Sequence, residues 1–191
     1  MTEIKAGFAI CGSFCTFSKV IPQMKNLKEK GVDVYPIMSE ISYSTDTRFG
    51  KSKDFVREIE EICQREVIST VRDAEPIGPK KMLDILIIAP CTGNTLAKLA
   101  LGIADTSVTL ATKAHLRNAR PVLIGVSTND ALGNAAKNIG SLMNYKNIFF
   151  IPMRQDDHEN KPNSIVADFT QTYEAMKKAL ENKQIQPVII S

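Results

Sequence analysis

Several marks of specialised chemistry are missing from this sequence. Its four cysteines, Cys11, Cys15, Cys63 and Cys91, have no zinc-site spacing. Cys11 and Cys15 lie four apart, but no second pair completes a metal set. There is no signal peptide and no apolar run of the ~18 residues a membrane helix needs. We therefore expect a reducing, cytoplasmic setting with free thiols. No long basic block occurs and the net charge is only +3, which gives nucleic-acid binding no compositional support. The dinucleotide fingerprint G-x-G-x-x-G is also absent. No linker or internal repeat divides the 191 residues, so a single domain, 1–191, is expected. What is present is ordinary: 43% hydrophobic and 24% charged residues, enough for a full core without metals or disulfides.

The chain is organised around the stretch Leu83–Thr106, LDILIIAPCTGNTLAKLALGIADT. Leu83–Ala89 has the length and the Ile/Leu content of a strand buried on both faces of a parallel sheet. Pro90, which has no N–H for the ladder, is expected to stop it. Cys91–Thr95 then form a small polar loop, and Leu96, Ala97, Leu99 and Ala100 a short helix capped by Gly102. Upstream, Ala6–Cys11 reads as the first strand and Gly12–Thr16 as a turn. A helix follows on Val20, Ile21, Met24 and Leu27, containing Pro22 and ending at Gly31, and Val32–Met38 is the second strand.

Between these halves, 41–53 reads as an exposed loop and Ser52–Arg65 as an amphipathic helix. Val67–Val71 is a strand candidate, and DAEPIGPKK (73–81), with two prolines, reads as irregular. Downstream, Ser107–Leu116 is expected to be helical, with His115 in a helix-end rather than a catalytic role. Val122–Val126 and Ile148–Ile151 are strands, and Ala131–Leu142 a helix. The Asp156-Asp157-His158 run is expected to be solvated charge, because adjacent loop residues seldom chelate together. Ser164 is read as the cap of a final helix carrying Ile165, Phe169, Met176 and Leu180. The tail 184–191, with Val188, Ile189 and Ile190, has the character of an extra sheet-edge strand or subunit contact. Strands separated by helices throughout argue for an α/β, doubly wound parallel sheet of Rossmann-like, three-layer form.

Two turns can serve a ligand. Ligands of such sheets collect outside the carboxyl ends of the strands. Gly12 lets a phosphate approach the backbone, and Ser13 adds a hydroxyl beside free N–H groups. The Cys91–Thr95 loop opens a helix whose first N–H groups suit an anion. Read from the residues alone, both also fit a plain tight turn and an ordinary N-cap.

The wording of the central stretch goes further. Pro-Cys-Thr-Gly-Asn-Thr-Leu-Ala-Lys-Leu-Ala, then Gly-Ile-Ala-Asp, resembles the signature of the flavoprotein family, which includes the homo-oligomeric flavin-containing cysteine decarboxylases. That resemblance implies FMN held by Gly12, Ser13, Phe14, Ser39, Pro90, Cys91, Thr92, Asn94 and Thr95. It also implies a homo-oligomer built on trimers. Two departures argue against decarboxylation. Glu75-Pro76-Ile77 stands where the decarboxylases carry a catalytic His before Ile, and a proline side chain transfers no proton. Ser127-Thr128-Asn129-Asp130 keeps only the asparagine of their Pro-x-Met-Asn motif.

AEPIGPKK, STNDALG, KNIG and the QDD-then-KP loop are instead similar to one branch of the family, one component of a two-component synthase. The resemblance implies a partner subunit carrying a nicotinamide nucleotide, NAD(P), and a small dicarboxylate made in the mother cell of a spore-forming bacterium. A dianionic substrate calls for cations. Arg48 and Arg117, with Asn129, are the substrate-binding candidates, beside Lys80, Lys81, Lys113 and Arg154. Whether this chain is catalytic or only a binding module for its partner stays open at this level.

Overall fold

The computed structural model describes residues 3–191. In chain order its strands are β1 (Lys5–Ile10), β2 (Asp33–Met38), β3 (Ile85–Cys91), β4 (Val122–Thr128), β5 (Ile148–Phe150), β6 (Met153–Arg154) and β7 (Ile165–Ala167). The helices are α1 (Phe17–Glu29), α2 (Glu40–Ser44), α3 (Ser52–Cys63), α4 (Val71–Ala74), α5 (Gly93–Ala100), α6 (Ser107–Leu116), α7 (Ala136–Met143) and α8 (Thr172–Leu180). Five strands form a parallel sheet in the order β2-β1-β3-β4-β5.

Alternation along the central strands sends side chains into two separate cores. Phe8 and Ile10 of β1 and Ile85 and Ile87 of β3 pack with Phe17, Val20 and Met24 of α1, Ile59 of α3 and Met176 of α8. Ala9, Leu86 and Ile88 point the other way, onto Leu96 of α5, Val108 and Ala111 of α6 and Leu142 of α7. Strands buried on both faces explain why β1, β3 and β4 read as continuous apolar runs rather than alternating ones.

Winding reverses between β1 and β3, so a crevice opens there at the carboxyl ends of the strands. The sheet is not parallel throughout. The first half of β4 pairs with β5, while Ser127 and Thr128 at its end pair antiparallel with β7, which pairs antiparallel with β6. The β6–β7 hairpin thus adds a wall beside the crevice.

Several boundaries differ from the sequence expectations, each for a physical reason. Pro90 does not stop β3. The register against β4 shifts between Ile88 and Cys91, so the missing N–H costs no ladder bond, and the carbonyl of Pro90 accepts the N–H of Cys11 at 3.2 Å. Residues 67–71 supply only a single bridge, Ile68 to Ile37, before α4 begins under the cap of Thr70, whose hydroxyl accepts the Asp73 N–H. The region 73–81 is partly regular, because Pro76 falls at the start of a 3-10 turn, Glu75–Ile77, where its missing N–H is harmless. In 41–53, α2 forms under the cap of Ser39. The helix after β4 starts only at Ala136, since 130–135 are turns.

Ser164 caps no helix. Ile165–Ala167 are drawn out as β7, a 3-10 turn follows at Phe169–Gln171, and α8 begins at Thr172. The apolar spacing expected for a helix is therefore shared between a strand and a helix. The tail does pair with a sheet edge of its own chain. Met153 donates to the carbonyl of Val188 at 2.9 Å and accepts from Ile190 at 3.1 Å.

Candidate functional site

Above the carboxyl ends of β1, β3 and β4 lies a cleft of about 630 Å3. Its floor is the turn after β1, Gly12–Thr16, with Thr92 after β3 and Ser127–Asn129 at the end of β4. One wall comes from the α2–α3 loop through Thr47, Arg48 and Phe49. Another part of the wall comes from the β6–β7 hairpin through Asp156, Lys161 and Ser164. A larger depression of about 720 Å3 beside β5 sits at the opposite, amino ends of the strands, next to Ala119 and Asn147, and gathers no hydroxyl cluster.

Hydroxyls dominate the floor. The Oγ atoms of Ser13 and Ser127 are hydrogen-bonded at 2.8 Å, linking the first turn to the end of β4. Thr128 donates to the carboxylate of Asp130 at 2.6 Å, and Ser164 donates to the Asn129 side-chain oxygen at 3.5 Å. The backbone N–H groups of Gly12, Phe14 and Cys15 have no backbone acceptor among the described residues, whereas Ser13 and Thr16 donate within the turn. A Cβ at Gly12 would meet only Phe14 and Ile41, at 3.6 and 3.7 Å. Internal packing therefore does not demand glycine there.

Beneath the floor the central signature acts structurally. Thr92 caps α5 by accepting the N–H of Thr95, and Thr95 donates to the buried Cys11 thiol at 3.3 Å. Burial pushes the Cys11 thiol up to about 11, against the opposing effect of the Thr95 hydrogen bond, and burial also raises Cys91 well above the ordinary thiol value. Both thiols are neutral at physiological pH and are not nucleophiles. Lys98 holds both carboxylate oxygens of Asp105, at 2.8 and 2.9 Å, so the Lys and Asp of the signature bind each other. The start of α5 already faces a carboxylate. A Cβ on Gly93 would lie 2.8 Å from both Asp130 Oδ1 and Thr128 Oγ1, which is why a glycine opens that helix.

The structure thus gathers part of the expected set. Gly12, Ser13, Phe14, Thr92, Asn129 and Arg48 line the cleft. Pro90, Cys91 and Thr95 are buried under it. Ser39 is engaged in capping α2, through Ser42, and Asn94 is exposed in the first turn of α5; neither lines the cleft. Arg117 does not join them, because α6 runs back toward the amino ends of the strands and places its guanidinium against Gly78. Arg154 is exposed and reaches the carbonyl of Ser191, while Lys80, Lys81 and Lys113 are exposed outside the cleft. His115 is buried, with Nε2 3.0 Å from the carbonyl of Pro121. A carbonyl only accepts, so Nε2 carries the proton, and the ring ties α6 to the start of β4.

Sequence reasoning passed over Lys19, Lys161 and the cleft role of Ser164. Lys19 falls on the exposed side of α1, and Lys161 and Ser164 depend on a hairpin that has no periodic signal. The rule that ligands sit past strand ends could have selected Ser127 and Thr128.

The doubly wound sheet, the switch point between β1 and β3 and the hydroxyl-lined cleft above it define a class, and the comparison with known families agrees. The flavoprotein family model matches residues 1–178, and the chain belongs to that family. Within it, the chain is 45% identical over 186 residues to the B subunit of dipicolinate synthase from Bacillus subtilis (strain 168), covering 97% of this chain and 93% of that protein. The crystal structure of the dipicolinate synthase B subunit from Bacillus halodurans superposes with a TM-score of 0.91 at 43% identity, over 100% of this chain and 99% of that one. The FMN-dependent cysteine decarboxylase SpaF shares the fold, with a TM-score of 0.66 at 22% identity over 94% and 96% of the two chains.

Proposed function

We propose that this chain binds FMN in the cleft and acts as the B subunit of a dipicolinate synthase. The observation that carries the reading is the convergence of the turn after β1, Thr92 and the Ser127–Asn129 segment on one cleft at the switch point of the sheet. The similarity to two B subunits over nearly the whole chain supports it. The donor set fits a phosphorylated ligand: three backbone N–H groups without backbone acceptors, together with the hydroxyls of Ser13, Thr92, Ser127 and Thr128 among those that line the cleft. In this reading Gly12, Ser13, Phe14 and Thr92 hold the cofactor, while Pro90, Cys91 and Thr95 fix the strand end beneath. Ser39 and Asn94, which lie off the cleft of one chain, join the site where a second copy of a homo-oligomer, trimer-based, brings its own cleft against them.

Bound FMN supplies hydride acceptance and return. The partner is the A subunit of dipicolinate synthase, carrying the nicotinamide nucleotide, and the substrate is a small dicarboxylate from the lysine pathway, processed in the mother cell during sporulation. The chain's own residues bind and orient, with Asn129 at the substrate side. Decarboxylation is not the reading, because Pro76 offers no proton where a histidine is needed.

Titration of the purified chain with FMN, followed by absorbance and calorimetry, tests the cofactor. Gly12→Ala leaves the melting temperature unchanged, since its Cβ has room inside the fold, but weakens FMN ~10-fold, because in this reading the phosphate packs on the backbone of this turn. Failure to bind FMN at high micromolar concentration refutes the cofactor assignment. Mixing with the A subunit separates enzyme from scaffold. Dipicolinate formation at full rate with an FMN-free variant makes the chain a binding module that supports its partner.

A further inference from the structure

Three cationic side chains from three separate segments meet over the cleft: Lys19 of α1, Arg48 of the α2–α3 loop and Lys161 of the β6–β7 hairpin. Among the cleft-lining residues the only carboxylate is Asp156, so the charged lining is three positive to one negative. Lys19 and Arg48 make no ion pair among the described residues. Lys161 has only a long contact, 3.7 Å from Nζ to Asp156 Oδ2. Arg48 lies over the ring of Phe49, 4.9 Å from its centroid, with its planar fork held by stacking rather than by a carboxylate. A lining of one dominant sign in a concave site concentrates anions.

Resting on the reading that the substrate is a dicarboxylate, we infer that these residues form a dianion clamp, with Arg48 and Lys161 taking one carboxylate each across the cleft. The chemistry divides the roles. The guanidinium of Arg48 can grip one carboxylate through two parallel hydrogen bonds. Lys161 takes the other as a mobile point charge, leaving Asp156 when the ligand arrives. Lys19 adds positive potential between them. Asp156 is the clamp's internal counter-ion, 3.7 Å from Lys161, and competes with a carboxylate for that ammonium. The ligand class is a small, planar dicarboxylate whose ring rests among apolar surface such as Phe14 and Phe49. Specificity for two carboxylates over one is thus built from the two walls, not from the floor shared with the cofactor.

The same cations could instead serve the phosphate of a cofactor, and the test separates the two. Calorimetric titration of the full chain with dipicolinate, picolinate (one carboxylate), inorganic phosphate and FMN is run on wild type, Arg48→Gln, Lys161→Gln and Asp156→Asn. The clamp predicts dipicolinate at least ~10-fold tighter than picolinate, and ~10-fold weaker in either cation variant, as for the loss of one charge-assisted contact. Asp156→Asn tightens dipicolinate, because Lys161 is released, and wild-type affinity falls with added salt. FMN affinity stays within about twofold in all variants, since its donors are backbone N–H groups and floor hydroxyls. Equal affinity for picolinate and dipicolinate, or unchanged dipicolinate binding in Lys161→Gln, overturns the clamp. Loss of FMN or phosphate rather than dipicolinate in the cation variants reassigns the cations to a phosphate, overturning the clamp while leaving the cofactor reading intact. Absence of FMN binding alongside selective dipicolinate binding sinks the cofactor reading and keeps the clamp.

Discussion

Burial lowers the His115 imidazole from its ordinary 6.5 to about 4, outweighing the hydrogen bond to the Pro121 carbonyl, which acts the other way. The side chain is 1% exposed, so solvent screening does little to soften this. The sign follows directly. Above pH 6.5 the ring is neutral in both folded and unfolded chains and costs nothing. Between 6.5 and 4 the unfolded chain takes up a proton that the folded chain refuses, so stability falls as the pH falls through that window. A shift of this size corresponds to roughly 3 kcal/mol in full, of which about 2 kcal/mol is lost by pH 5. His115→Gln removes the titration while keeping an amide N–H that can reach toward Pro121. Urea unfolding of both proteins at pH 7.5 and pH 5 isolates the effect, because every group common to the two proteins cancels in the difference. Wild type is the more stable at pH 7.5, and its advantage shrinks by about 2 kcal/mol at pH 5. An advantage that is the same at both pH values refutes the reasoning.

Two further perturbations address the frame of the sheet. Gln184 uses its side-chain amide as a substitute strand, accepting the N–H of Phe150 at 2.8 Å and donating to its carbonyl at 2.7 Å. Gln184→Ala leaves both groups of a buried strand residue without these partners and lowers stability by ~2 kcal/mol, read from the urea midpoint at unchanged slope. A Cβ on Gly7 would lie 2.5 Å from Leu83 Cδ1 and 2.8 Å from Leu86 Cδ1, so Gly7→Ala overpacks the middle of β1 at a cost of about 1–3 kcal/mol. A variant as stable as wild type shows that the leucines repack freely.

The parallel core was legible because burial on both faces leaves a simple trace. The apolar runs in β1, β3 and β4 can hardly sit anywhere else, and the helices between them repeat at the spacing that covers such a sheet. Legibility failed where the pattern depends on partners distant in sequence. Ile165 and Phe169 have helical spacing, yet Ile165 belongs to a strand, because Ser127 and Thr128 past the parallel part of β4 offer an edge that pairs with Ile165 and Val166. Nothing local to 164–169 announces that edge. Pro90 misled for a related reason. A proline ends a strand only where the ladder requires its N–H, and the register shift against β4 removes that requirement.

The site divides along the same line. The long signature from Pro90 to Asp105 is specific, but most of what it encodes is support: Thr92 capping α5, Thr95 on the Cys11 thiol, and Lys98 on Asp105. It fixes where the cleft floor stands and thereby predicts a phosphorylated ligand, without selecting a reaction. The groups that could tell a dicarboxylate from a thiol substrate sit on the two walls, Arg48 on one side and Asp156 and Lys161 on the other. These walls are loops and a short hairpin with no repeat to read, so their cations look like solvated charge until the fold sets them across one cleft. In the proposed reading one departure bears directly on decarboxylation: Pro76, whose side chain transfers no proton and which does not line the cleft of the single chain. Introducing histidine at Pro76 supplies a proton donor there, off the cleft lining of the single chain. It restores no decarboxylation of cysteine-ended peptides, as followed by carbon dioxide release, because the new imidazole stands off the cleft of the chain that carries it. Decarboxylation by Pro76→His alone would show that this one position, not the walls of the cleft, chooses the reaction.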